Sequence, residues 1–193
     1  MLGLKLPTDQ RWINLVQTNI SEILTDHAWC EQKAASNAIS LVVSYPEYTD
    51  MVDALLSISK EELSHFEMVH EKIKQRGFAL GRERKDDYVN DLYQFMIRGQ
   101  GRDVALIDRL LFAAMIEARS CERFKILSEQ INDEDLRGFY RELMISEANH
   151  YTTFIGFARK YAKGIDVDKR WKEWLEYEAS LMDKYGKKET MHG

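Results

Sequence analysis

The chain has few of the residues that cross-link or interrupt a fold. Its 193 residues include two cysteines, two prolines and ten glycines, and no tract of Ser, Gly or Pro. Cys30 and Cys121 stand alone, outside any CxxC spacing, so a disulfide framework is excluded and two small buried side chains are predicted. The scarcity of Pro and Gly argues against a linker or a disordered arm. A single domain over residues 1–193 is therefore predicted, with a hydrophobic core large enough to be stable without disulfide or metal cross-links.

Long hydrophobic runs are also missing. The longest purely apolar stretch runs from Leu110 to Ile116, far short of the ~20 residues that cross a bilayer. The first seven residues show no basic segment followed by an apolar one, so no export signal is predicted. We therefore expect a cytoplasmic protein without membrane contact.

The chain has no excess of positive charge, since its formal net charge is -5. General coating of a nucleic acid is excluded, but a local basic face is not. Six basic residues crowd around Gly77 and Gly81: Lys72, Lys74, Arg76, Arg82, Arg84 and Lys85. By themselves they fit two interpretations, a helix end whose dipole they complement or a surface for RNA.

Strand signals are absent as well, and apolar residues recur at three- and four-residue spacing. The pattern predicts a short first segment capped by Thr8 and Asp9, then four long helices. The long helices span about residues 19–44, 46–76, 102–130 and 133–163, with Pro46 in the first turn of the second. A short helix over 87–98 and a C-terminal helix over about 166–185 complete the prediction.

The connections predict how the long helices are arranged. Tight turns join the first helix to the second and the third to the fourth, whereas residues 77–101 form a connection long enough to run the length of a bundle. This is the layout of a ferritin-like four-helix bundle. The fold class predicted is thus all-α, with a core over about residues 19–163.

A glutamate interrupts the apolar stripe of every long helix, at Glu31, Glu62, Glu117 and Glu147. Four buried carboxylates would repel one another and resist ionisation unless cations compensate them. Two divalent cations balance the four charges, and an imidazole follows two of the glutamates at i+3. The predicted metal ligands are therefore Glu31, Glu62, His65, Glu117, Glu147 and His150. Carboxylates and imidazoles without thiolates favour iron, with manganese as the second choice.

The Glu-x-x-His motif alone does not identify the ligands, because it also occurs at Glu67/His70 and Glu189/His192. The position of each pair on its helix distinguishes the predicted ligands from these two pairs. The first of these pairs falls on the solvated side of its helix and the second in the tail. Glu31 and Glu62 are 31 residues apart, and Glu117 and Glu147 are 30 apart, so the second helix pair repeats the first. Glu122 remains an alternative to Glu117. His27 fits either a supporting role beside Glu31 or a place in the core.

The ligands alone do not choose a reaction. A carboxylate-bridged metal pair can store or oxidise iron, detoxify peroxide, or activate dioxygen for insertion into a C–H bond. The chain lacks the CxxC module of a rubrerythrin, which disfavours a peroxidase. A ferritin-like iron oxidase or storage protein and a scaffold without metal both remain alternatives.

Four segments resemble the tRNA hydroxylase family. They are Asp26–Ser36 (DHAWCEQKAAS), Glu61–Glu67 (EELSHFE), Ile116–Phe124 (IEARSCERF) and Ser146–His150 (SEANH). The resemblance covers about residues 6–162, and ARSCERF is its most specific part. Gln32 stands where a Lys is expected, outside the ligand set.

The resemblance implies a non-haem di-iron monooxygenase with the six ligands named above. Such an enzyme hydroxylates the isopentenyl chain of 2-methylthio-isopentenyl-adenosine beside the tRNA anticodon. Its co-substrate is dioxygen, and an external protein donates two electrons. The expected partners are thus the anticodon loop and an electron donor or reductase. The six basic residues around Gly77 become candidate RNA contacts, and further candidates are Arg98, Arg102 and Arg119, although Arg119 could instead pair with a buried acid.

Overall fold

The computed structural model describes residues 2–182, 184–185 and 190–191, and throughout that part the regular structure is helical, without strands. Its helices are α1 (Trp12–Thr18), α2 (Ile20–Ser44), α3 (Thr49–Gln75), α4 (Asp87–Tyr93), α5 (Arg102–Gln130), α6 (Glu134–Tyr161) and α7 (Val167–Met182). The predicted all-α class and the four long helices are confirmed.

The chain divides into two compact units. One, the α2–α3 unit, contains residues 18–85 together with Thr190 and Met191. The other, the α5–α6 unit, contains the described residues before Thr18 and those from Asp86 to Tyr185. The single domain over residues 1–193 stays a prediction.

In the α2–α3 unit, two long helices run antiparallel and bury facing apolar stripes. The Ser59 hydroxyl donates to the Ala35 carbonyl at 3.3 Å, which fixes the register of the pair. Ala35 is buried at this contact, whereas Ala34 is only half-buried. α3 begins at Thr49, and Pro46 lies in the preceding turn rather than in the first helical turn as predicted. The fixed φ of proline suits both positions, so the sequence signal was ambiguous.

The C-terminal end of α3 is closed by a Schellman motif. Gly77 has a φ of +72°, which a glycine adopts without strain. Its N–H donates to the Lys74 carbonyl at 2.9 Å, and the Phe78 N–H donates to the Ile73 carbonyl at 3.1 Å. The predicted stop at Gly77 is confirmed.

In the α5–α6 unit, α5 is buried nearly all round because α6, α4 and α7 pack against it. Asp133 caps α6 as predicted, since its side chain accepts from the Leu136 N–H at 3.0 Å. Three helices were predicted to extend too far, because α4 ends at Tyr93, α6 at Tyr161 and α7 at Met182. Thr8 caps no helix and instead binds Glu122 through its hydroxyl at 2.6 Å.

None of the described helices combines the length and the apolar character that a membrane span requires.

Candidate metal centre

The α2–α3 unit brings three of the predicted ligands together. Glu31, Glu62 and His65 are buried, and each offers a ligand atom within 4.8 Å of those of the other two. Nδ1 of His65 lies 3.2 Å from Oε2 of Glu62 and 3.7 Å from Oε2 of Glu31. The i, i+3 spacing places Glu62 and His65 on one face of α3, which packs against α2. We call these residues the first triad.

His27, one turn before Glu31, supports this triad. Its Nε2 lies 2.5 Å from Oε1 of Glu31, and its side chain is completely buried. The sequence left open whether His27 supports a ligand or fills the core; the structure places it against the carboxylate. Glu31 is thereby held by an imidazole on one oxygen and turns the other toward His65.

The buried carboxylates of the first triad favour a positive charge beside them. Burial alone would raise the pKa of Glu31, but hydrogen bonds from His27 and His65 and the charge of His27 hold it well below its usual range. Burial would lower the pKa of His65, but hydrogen bonds and attraction from Glu31 and Glu62 raise it to about 10. Two carboxylates confined together thus favour a cation beside them.

The α5–α6 unit contains the second triad. Glu117, Glu147 and His150 are buried, and each offers a ligand atom within 4.8 Å of those of the other two. Nδ1 of His150 lies 3.9 Å from Oε2 of Glu117. Glu117 faces α6 because it lies on the stripe that Ala114 and Cys121 continue. Each helix pair therefore carries two carboxylates and one imidazole.

Glu122, the alternative to Glu117, has a different role. One of its oxygens accepts from the Thr8 N–H at 2.9 Å, and the other accepts from Arg119 at 3.0 Å. Glu117 lies beside His150 and Glu122 does not. Cys121 is also outside the donor set, because its thiol donates to the Met144 carbonyl and its pKa is raised to about 12, chiefly by burial and then by the charges of Glu147 and Glu122.

Of the other two Glu-x-x-His pairs, the structure describes one, Glu67/His70, and it does not join either triad. Glu67 is exposed, as predicted, and the ring of His70 packs on Phe66 with centroids 6.3 Å apart. Glu189 and His192 lie outside the described residues.

Arg119 lies in a buried network of charged groups. Arg119 is completely buried and lies 2.6 Å from Oε1 of Glu178, which is itself inaccessible. The proposal that Arg119 contacts RNA is therefore wrong, and the alternative, pairing with a buried acid, is confirmed. Glu178 lies on α7 and also accepts from the Tyr88 hydroxyl at 3.1 Å. That Glu178 is the partner could not be identified from local sequence, because the two residues are 59 positions apart.

The six basic residues lie at the end of α3 and in the segment that follows it. Lys74, Arg82 and Lys85 are exposed, whereas Lys72, Arg76 and Arg84 are half-buried. Arg98 and Arg102 are exposed in the α5–α6 unit.

The donor chemistry of both triads suits a hard or borderline cation. Carboxylate oxygens and imidazole nitrogens without thiolate match iron or manganese. Burial excludes bulk water, so these donors offer a preformed site for such ions rather than a solvated acidic patch.

Comparisons with known proteins agree with this chemistry. A family model described as tRNA-(MS[2]IO[6]A)-hydroxylase (MiaE) matches residues 2–193. A tRNA 2-(methylsulfanyl)-N(6)-isopentenyladenosine(37) hydroxylase from Pseudomonas putida is 37% identical, with 83% of this chain and 77% of the relative covered. The hydroxylase of the same name from Salmonella typhimurium is 30% identical, with 93% and 83% covered.

A solved structure has a similar fold. It is described as Protein 43 with aldehyde deformylating oxygenase activity from Synechococcus, is 30% identical, and aligns with a TM-score of 0.90 over 98% of this chain and 95% of the other. Together with the helix order, this similarity confirms the predicted ferritin-like fold class.

Proposed function

The chain belongs to the tRNA-(MS[2]IO[6]A)-hydroxylase (MiaE) family, and we propose on that premise that it hydroxylates the isopentenyl side chain of 2-methylthio-isopentenyl-adenosine beside the tRNA anticodon. The observation that carries the proposal is the pair of buried carboxylate–imidazole triads in a chain that matches the family from end to end.

The two triads are proposed to bind two iron ions through Glu31, Glu62, His65, Glu117, Glu147 and His150. Four carboxylates carry four negative charges, which two divalent ions neutralise, and the imidazoles bind in their neutral form. Manganese fits the same donors and is the second choice. When bound, the iron pair would supply the activation of dioxygen and, with two electrons from an external donor, the insertion of one oxygen atom into a C–H bond.

The residues of the chain orient and shield this chemistry. His27 holds Oε1 of Glu31 and leaves Oε2, 3.7 Å from Nδ1 of His65, as the atom offered to a metal. Such support beyond the ligands fixes their orientation and their basicity. Apolar neighbours, among them Ile58 and Phe154, are buried on the same helices and keep water from the donors.

The substrate proposal also assigns partners. The tRNA anticodon loop would contact the basic residues at the end of α3 and after it: Lys72, Lys74, Arg76, Arg82, Arg84 and Lys85. Single-stranded loops are recognised through phosphates and unstacked bases. A reductase or electron-donor protein would supply the electrons, and the enzyme would work in the cytoplasm, where tRNA is modified.

Nucleoside mass spectrometry tests the proposal directly. Prenylated, methylthiolated tRNA is incubated with the iron-loaded, reduced protein and dioxygen, and its nucleosides are then analysed. We expect the modified adenosine to gain one oxygen atom with the wild type and not with Glu117→Ala. Glu67→Ala is the matched control, because it removes the exposed glutamate of a second Glu-x-x-His pair and should leave the gain intact.

Other outcomes would redirect the assignment. Two bound irons without any gain of oxygen, together with rapid iron oxidation and a large assembly on a sizing column, would favour the ferritin-like iron oxidase or storage function. Absence of stoichiometric metal after anaerobic loading would refute the metal ligands themselves.

A further inference from the structure

Residues 77–86, which we call the strap, form neither helix nor strand, yet they are fixed to α2. The indole Nε1 of Trp29 donates to the Gly81 carbonyl at 2.9 Å, and the Gly81 N–H lies 3.4 Å from the Thr25 hydroxyl. A Cβ at Gly81 would lie 3.0 Å from Cγ2 of Thr25, so the close approach favours glycine. The main chain of the strap is thus held in place by α2.

Ion pairs hold the strap further along. Nζ of Lys33 lies 3.0 Å from Oε1 of Glu83 and donates to the Arg84 carbonyl at 3.3 Å. Nη1 of Arg84 lies 3.2 Å from Oε2 of Glu22. The charges of Glu83 and Arg84 are therefore directed at α2, whereas Arg82 and Lys85 are exposed to solvent. Arg84 thus anchors the strap to α2 through an ion pair at the surface, where its side chain remains 37% exposed.

An aromatic ring stands at the start of the same segment. Phe78 is 39% exposed and is the only exposed phenylalanine in the part of the chain that the structure describes. Its backbone is fixed by the hydrogen bond to Ile73 that closes α3. An exposed ring on a fixed backbone, in the same segment as exposed guanidinium and ammonium groups, is the combination that single-stranded nucleic acids bind: bases stack on the ring and phosphates pair with the cations.

We propose that the strap is the binding surface for single-stranded RNA, where Phe78 stacks on an unpaired base and Arg82 and Lys85 bind backbone phosphates. This inference rests on the proposed tRNA substrate and names the residues that recognise its loop. Trp29 is a positioning residue, because it holds the strap through Gly81 without touching RNA. Since the strap is ordered before binding, little further ordering opposes association.

RNA affinity is the first test. Fluorescence anisotropy is measured on the full chain with a labelled anticodon stem-loop. Phe78→Ala should weaken binding about 5- to 150-fold, the usual effect of losing one stacked base, and Phe78→Tyr should retain it. Leu63→Ala removes a comparably exposed apolar side chain from α3 and should leave affinity unchanged.

Salt dependence tests the phosphate contacts. Arg82→Ala and Lys85→Ala should each reduce the slope of log K against log salt by about 0.7, the contribution of one phosphate on a single strand. Lys60→Ala is the control, because Lys60 is an exposed lysine of the same unit outside the strap. Equal slopes for Arg82→Ala, Lys85→Ala and the wild type would overturn the phosphate assignment.

Trypsin tests the positioning role of Trp29. RNA should protect the bonds after Arg82 and Lys85 from cleavage in the wild type. Trp29→Phe loses the N–H donor, so cleavage at these bonds should quicken without RNA and RNA affinity should fall, while thermal stability stays close to wild type. Unchanged cleavage with unchanged affinity would remove Trp29 from the proposal.

Turnover separates this inference from the proposed function. Phe78→Ala should raise the KM for tRNA, and leave kcat and the hydroxylation of the isolated modified nucleoside unchanged. If the wild type hydroxylates tRNA but Phe78→Ala binds it equally well, the strap proposal fails and the function stands. If the wild type neither binds nor hydroxylates tRNA, the function fails as well. Slower reduction by a donor protein with unchanged RNA affinity would assign the strap to that donor and overturn the proposal.

Discussion

Replacing Arg119 by methionine should destabilise the protein strongly. The guanidinium is completely buried and pairs with two carboxylates, at 2.6 Å from Glu178 and 3.0 Å from Glu122. It also donates to the Leu6 carbonyl at 3.0 Å, which holds the N-terminal segment against α5. Burial alone would lower the pKa of Arg119, but the charges of Glu178, Tyr88 and Glu122 and the hydrogen bond to Glu178 together outweigh it, so the pKa is raised and the group stays charged.

The expected loss of stability follows from the buried carboxylate of Glu178, which the substitution leaves without its arginine. Methionine fills the volume but leaves the carboxylate of Glu178 in an inaccessible position beside the Tyr88 hydroxyl alone. Removing one partner of a buried ion pair lowers the free energy of unfolding by roughly 3–5 kcal/mol. For a chain of this size that corresponds to a Tm lowered by about 6–20 °C.

Thermal unfolding followed by circular dichroism measures the effect, with Arg98→Met as the control. Arg98 is an exposed arginine in the same unit, and its loss should change stability by less than about 0.5 kcal/mol. The double variant Arg119→Met with Glu178→Met removes both charges and should be more stable than Arg119→Met alone. A loss below about 1 kcal/mol for Arg119→Met, or a double variant less stable than either single one, would refute the reasoning.

Three further predictions concern single sites. Cys121 should resist maleimide at pH 8 in the native state, because it is buried and its pKa is about 12, while Cys30 is modified first; peptide mass spectrometry identifies the labelled cysteine. His27→Ala should weaken iron binding about 10- to 100-fold through the loss of the bond to Glu31, whereas His70→Ala should not, as titration followed by metal analysis would reveal. Gly77→Ala should cost about 1 kcal/mol in a thermal melt, because its φ of +72° is strained for alanine, and an unchanged Tm would contradict this.

Helix boundaries were predictable where local chemistry sets them. α5 begins after Gly101, whose φ is +89°, and α6 begins after the Asp133 cap, and both starts follow from the sequence. The end of α4 was not predictable in the same way. The residues after Tyr93 continue a helical pattern, but the Ile97 N–H donates to the Asp108 carboxylate at 2.6 Å, a tertiary bond that local sequence does not reveal.

The same division applies to the functional residues. Both triads could be predicted because a glutamate on an apolar stripe stands out against the helical period, and because within each packed helix pair the stripes of the two helices face each other. For Arg119 the sequence offered pairing with a buried acid only as an alternative, and it could not identify the partner Glu178, which lies 59 residues away on α7. The resemblance to the family identified ARSCERF as its most specific segment but did not explain the role of these residues. The structure explains Arg119 and Glu122 as charges that join α5 to the N-terminal segment and, through Glu178, to α7.

The two helix pairs repeat the spacing of their glutamates but differ in a residue that bears on the metal sites. One turn before Glu31 stands His27, which binds its carboxylate, but the position one turn before Glu117 is Ala113, which offers no hydrogen bond. Across each helix pair the imidazoles lie alike, with Nδ1 of His65 3.7 Å from Oε2 of Glu31 and Nδ1 of His150 3.9 Å from Oε2 of Glu117, so the difference lies in His27. The carboxylate of Glu31 is therefore oriented before any metal arrives, by an imidazole that has no counterpart at Ala113. Because a preoriented ligand loses less freedom on binding, this imidazole should favour filling of the first triad when iron is limiting.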